Sequence, residues 1–135
     1  MKSRITIVVV SLGLLLAACA GSGAAQISLE TEQFEFGDVV NGTLMTKDLT
    51  VSNVGTAPLL VEAVSTSCGC TTAALDPMTI APGESATLHI EFDSGAHGPE
   101  YVGEFSRQIF IASNDEQTPE ALIEFVANIL PPESP

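Results

Sequence analysis

Between positions 86 and 92 the side chains alternate without a break: Ala86, Leu88, Ile90 and Phe92 are apolar, while Thr87, His89 and Glu91 between them are polar. A period of two puts the two sets on opposite faces of a β-strand, one turned to a core and the other to water. Residues 121–129 repeat the pattern with Ala121, Ile123, Phe125, Ala127 and Ile129, although Leu122 and Val126 make the second face partly apolar. Further β-branched and aromatic runs at 27–36, 44–53, 59–66 and 104–113 are separated by turn residues about every ten positions. No apolar period of 3.6 persists over a helical length. Asn41-Gly42 and Pro82-Gly83 stand where the chain has to reverse. The pattern predicts an all-β fold, an antiparallel β-sandwich of about seven strands.

The first residues follow a different logic. Lys2 and Arg4 precede a 14-residue apolar run, residues 5–18, which ends in small residues at Ala17-Ala18-Cys19-Ala20. This is the layout of a cleaved export signal, and the run is shorter than the roughly 20 residues that a permanent helical span requires. Leu16-Ala17-Ala18-Cys19 resembles the bacterial lipobox, whose cysteine receives a diacylglycerol and becomes the first residue after cleavage. The expected organisation is a signal over 1–18, a lipidated Cys19 with a flexible tether over 19–26, a sandwich over 27–130, and a frayed Pro-rich tail over 131–135. One acyl chain binds a membrane marginally, so the two or three chains of such an anchor are needed for stable attachment.

Removal of Lys2 and Arg4 with the signal leaves Lys47 and Arg107 as two cations against 17 acidic groups, or −15. A surface of that sign excludes nucleic acid as a partner. It also repels anionic headgroups, so attachment has to come from the lipid rather than from the protein surface. The expected partners are the membrane, through the lipid anchor, and proteins of the cell envelope. The acidic groups are scattered along the chain, as on a solvated face.

With Cys19 committed to lipid, Cys68 and Cys70 are the remaining thiols of a chain that enters an oxidising compartment. A bridge between them closes a very small ring, worth about 1.6 kcal/mol in chain entropy before strain. Their Cα atoms in a regular strand lie near the limit for bridging, and Gly69 between them lets the backbone tighten. Three readings stay open: a structural turn, oxidised or not; capture of a soft metal, copper(I) suiting two thiolates with His89 or His97 as a weak third ligand; and thiol-disulfide exchange. No other cofactor is expected. His89 falls on the polar face of its strand and His97 in a glycine-bearing segment, 93–102, that reads as an exposed loop. The chain carries no Gly-x-Ser-x-Gly elbow, phosphate-binding glycine loop or His-Glu-x-x-His helix, so no catalytic residue is assigned and no enzyme is expected. Asn114-Asp115-Glu116 lacks the spacing of a calcium loop and reads as a turn.

Taken in order, Phe34-Glu35-Phe36-Gly37-Asp38-Val39, the run from Leu49 through Asn53-Val54-Gly55-Thr56-Ala57-Pro58 to Leu59, Ser67-Cys68-Gly69-Cys70-Thr71, Ile80-Ala81-Pro82-Gly83-Glu84 and Ser113-Asn114-Asp115 resemble the bacterial family called domain of unknown function 1573. The resemblance covers residues 27–129. It implies an immunoglobulin-like sandwich similar to the hydin and abnormal-spindle type domains, which often serve as interaction modules, and it implies no established activity. The segment 94–102 is extended relative to the usual pattern.

Overall fold

The alternating run at 86–92 is the heart of one of two facing sheets in the computed structural model, which describes residues 22–133. Nine strands are present among the described residues: β1 (Ile27–Leu29), β2 (Gln33–Val40), β3 (Leu44–Asn53), β4 (Leu59–Thr66), β5 (Thr71–Asp76), β6 (Thr79–Ile80), β7 (Ser85–Asp93), β8 (Gly103–Ser113) and β9 (Glu120–Leu130). They form a four-stranded sheet in the order β1-β3-β7-β5 and a five-stranded sheet in the order β2-β9-β8-β4-β6. The expected all-β sandwich is the fold, and no described helix is long and apolar enough to cross a membrane.

The period of two explains how the sheets close on each other. Ala86, Leu88, Ile90 and Phe92 of β7 are all buried, and so are Ala121, Ile123, Phe125, Ala127 and Ile129 of β9. Register then lines apolar residues up across strands: Leu88 lies opposite Leu49 of β3 and Leu75 of β5, and Ile123 opposite Ile109 of β8. Phe92 joins the layers, its ring centroid 5.0 Å from Phe105 and 5.2 Å from Phe125. Full burial of one such side chain contributes about 1.5–3 kcal/mol.

Four features depart from the sequence reading. The run 27–36 is not one strand: β1 belongs to the first sheet and β2 to the second, and the chain crosses between them through the polar residues 30–32. There Glu30 keeps its amide on the Thr50 carbonyl at 3.0 Å, and its carboxylate accepts the Thr50 amide at 2.7 Å. β2 lies parallel to β9, while every other pairing is antiparallel. β5 and β6 raise the strand number above seven. β5, Thr-Thr-Ala-Ala-Leu-Asp, has two alanines and one large apolar residue, a weak strand signal by composition.

The fourth departure concerns the tether. Residues 24–26 are bound to the domain: the Thr56 and Ala57 amides donate to the Ala24 carbonyl at 2.8 and 3.1 Å, and the Val54 amide donates to Gln26 at 2.9 Å. Gly55 makes this approach possible, since a Cβ there would overlap the Ala24 carbonyl oxygen and stand 2.6 Å from the Gln26 nitrogen. Gly23 is held close in the same way, a Cβ on it standing 2.9 Å from the Thr56 carbonyl oxygen. The expected signal over 1–18, the lipid-bearing Cys19 and the last two tail residues lie outside the described residues.

Candidate functional site

The strands bring the cysteines to one end of the sandwich. β4 finishes at Thr66 and β5 begins at Thr71, so 67–70 forms the connection between the two sheets. It is tied on both sides. The Ser67 amide donates to the Gln108 carbonyl at 2.9 Å, the Gln108 amide returns to the Ser67 hydroxyl at 3.0 Å, and the Asp93 amide donates to the Cys70 carbonyl at 2.9 Å. Cys68 and Cys70 are joined in a disulfide with their Cα atoms 5.3 Å apart, inside the usual range for a bridge. Gly69 is not among the residues with positive φ, and a Cβ on it would meet nothing within 4 Å. The tightening thus takes place without a conformation reserved for glycine. Cys70 is buried, Cys68 half-buried, and both sulfurs lie near the buried Thr71 hydroxyl, at 3.7 Å from Cys68 and 3.6 Å from Cys70.

The segment 94–102 is the second wall. It departs from a plain exposed loop at its first residue, Ser94, which is buried with its hydroxyl 2.9 Å from the Val40 and Thr43 carbonyls while accepting the Thr43 amide at 2.8 Å. Further along, the Asn41 side-chain amide donates to the carbonyls of Gly98 and Tyr101, both at 2.9 Å. Asn41 thus does more than open the turn to β3, where Gly42 takes a φ of 90°. Two pinned points hold the loop over the cysteines, and its tip carries His97. The sulfurs of Cys68 and Cys70 and a ring nitrogen of His97 all lie within 4.8 Å of one another.

The two histidines that stand alike in the sequence are therefore separated. His89 points from the outer face of β7 at Asp48, 2.5 Å away, with Glu91 at 3.6 Å, and this surface pairing holds its pKa above the ordinary histidine value, the Asp48 hydrogen bond first among the causes. It takes no part in the cysteine cluster. Arg107, which the sequence did not mark as a site residue, stands beside His97. It occupies the core-facing row of β8 between Phe105 and Ile109, where the period of two calls for an apolar side chain. Its guanidinium lies 3.8 Å from the centre of the Phe105 ring and 3.5 Å from His97 Nε2, the outer limit for a hydrogen bond. The signal available in sequence was a lone arginine inside an otherwise apolar alternation. Tyr101 and Phe105 flank the His97 ring at 5.5 and 5.6 Å.

At the opposite end, Asp115 is turned inward and makes the turn expected of 114–116. Burial pushes its carboxyl pKa up, but the amides of Ile27, Gln117 and Thr118 donate to it at 2.9, 2.8 and 3.1 Å and hold it below the ordinary value. Both oxygens are engaged by backbone, which favours a turn over a cation site.

No curated protein matches the chain. Among solved structures, a protein of unknown function from Porphyromonas gingivalis W83 is 26% identical with a TM-score of 0.64, over 78% of this chain and 46% of that one, so the chain spans about half of that relative. The ASH / PapD-like domain 7 of human CEP192 superposes with a TM-score of 0.62 at 10% identity, covering 98% of this chain and 100% of that domain. The YadV chaperone gives 0.55 at 15% identity, over 80% of this chain and 52% of that one. At these identities the last two are likenesses of fold. The model of the family described as protein of unknown function (DUF1573) matches residues 27–129, and the chain belongs to that family.

Proposed function

We propose that this chain is a lipid-anchored, non-enzymatic interaction module of the bacterial cell envelope, held to its membrane through Cys19. The observation that carries the reading is the docking of residues 24–26 on the loop 53–57. That loop lies at the end of β3 away from Leu44, whereas Cys68, Cys70 and the segment 94–102 lie beside its start. Ten residues of strand measure about 33 Å. An anchor three residues before Ser22 therefore keeps one end of the sandwich near the bilayer and leaves the other, with its cysteine cluster, free to reach up to about that distance into the compartment.

PapD-like likenesses of fold support an interaction role, and so do Leu44 and Val102, large apolar side chains exposed at the membrane-distal end. With the acidic surface repelling anionic lipid, these residues are available to protein contacts. Replacing Cys19 with serine should move the protein from the membrane to the soluble fraction of cells. A photo-cross-linking residue at Leu44 or Val102 should trap envelope proteins on intact cells. A Cys19→Ser protein that stays with the membrane would overturn the anchor, and adduct-free cross-linking from both positions would overturn the interaction role.

A further inference from the structure

We propose that Cys68, Cys70 and His97 form a copper(I) site that exists only when the disulfide is reduced, with Arg107 as its counter-charge. The three ligand atoms already lie within 4.8 Å of one another, on two segments that are fixed independently. The cysteine turn is tied to β7 and β8, and the His97 loop is tied through Ser94 and Asn41. Little of the site therefore has to be assembled on binding. Two thiolates and one imidazole are a soft set of low coordination number, which suits copper(I), and among the described residues no fourth Cys, His, Asp or Glu joins the group to complete a closed zinc site.

Charge points the same way. Two thiolates on one copper(I) leave a net −1 at a half-buried place, in a chain whose formal charge is already −13. Of the two cations among the described residues, Lys47 and Arg107, one stands against His97, on a strand row that otherwise faces the core. As a disulfide the sulfurs are poor donors, so bridge and metal exclude each other. Loading requires a dithiol reductant, which gives two electrons and two protons to the Cys68–Cys70 bond and leaves as its own disulfide. As copper(I) enters, both thiols release their protons to solvent, two S–Cu bonds replace two S–H bonds, and neutral His97 adds its lone pair.

The test is a competition titration of the intact chain, purified in detergent, with copper(I) supplied as its bicinchoninate complex, before and after reduction by a dithiol. The reduced protein should withdraw one copper(I) per chain, and the oxidised protein none. His97→Ala should weaken binding by at least about tenfold, since loss even of a partner one shell out from a metal costs that much, while His89→Ala should leave it unchanged. X-ray absorption of the copper-loaded protein should lose its nitrogen scatterer in His97→Ala alone. Equal binding by the two redox forms, equal effects of the two histidine variants, or tighter binding of zinc(II) than of copper(I) would each overturn the proposal. Because His97 is exposed, its replacement does not threaten folding.

Discussion

At the scale of single residues, two glycines that look alike in sequence have opposite requirements. A Cβ on Gly55 runs into the backbone of 24–26, and one on Gly69 meets open space. Gly55→Ala should release the N-terminal segment and destabilise the domain by about 1–3 kcal/mol, the range for buried backbone groups that lose their partners, while Gly69→Ala should stay within about 0.5 kcal/mol. Urea unfolding of the two variants side by side checks both. Asp115 gives a pH prediction. Its folded pKa lies below its unfolded value of about 3.9, so its contribution is complete above that value and is lost as pH falls through the folded pKa. Asp115→Asn should accordingly be less stable at neutral pH and should flatten the acid limb of the stability profile below about pH 4. An acid limb unchanged by the substitution would show that other carboxylates govern it. The sequence announces Asp115 as a turn residue, but its reach to the Ile27 amide joins residues 88 apart in the chain, and no local pattern encodes that.

Elements differ in how much of themselves they announce. β3 and β4 have the bounds expected from sequence, and β7 and β9 extend their expected runs by one residue at each end, because these strands have one dry and one wet face and carry large residues on the dry one. β2 is harder to read: it continues beyond Phe36 through Gly37, with a φ of 74° and a register shift against β9, and a bulge breaks the period of two on which the reading depends. That irregularity has its own effect. β2 is an open sheet edge, and the shift together with Glu35 and Asp38 discourages another strand from pairing there. The segment 94–102 was legible as a loop, whereas its fastening was not, since Asn41 meets Gly98 and Tyr101 across about sixty residues of chain. Asn41→Ala removes both of those bonds; the Tyr101 carbonyl loses its donor, and the Gly98 carbonyl keeps only the Tyr101 amide at 3.3 Å. The loop's amides should then exchange hydrogen faster and proteases should cut it sooner, with β7 and β8 exchanging as before. Equal acceleration throughout the domain would mean that Asn41 supports the whole sandwich and not the loop.

For the molecule as a whole, the question is whether the sandwich needs its disulfide, because the copper proposal requires a folded reduced state. Ring size says that it does not. The bridge spans one intervening residue, and the loop entropy it removes from the unfolded chain amounts to about 1.6 kcal/mol at most. The core is built elsewhere: Phe92, Phe105 and Phe125 lie between the sheets, and the facing rows of β3, β7, β8 and β9 bury their apolar residues whether or not the sulfurs are joined. The cysteine turn also keeps its backbone ties to Gln108 and Asp93, none of which involves a sulfur atom. For a domain of about 100 residues, 1 kcal/mol corresponds to about 4–8 °C in Tm. Reduction should therefore lower the melting temperature by roughly 6–13 °C at most, leaving a single cooperative transition and an unchanged β-sheet circular dichroism spectrum at room temperature. Loss of that transition on reduction would make the bridge a requirement of folding, and Cys68 and Cys70 would then be structural before they were anything else.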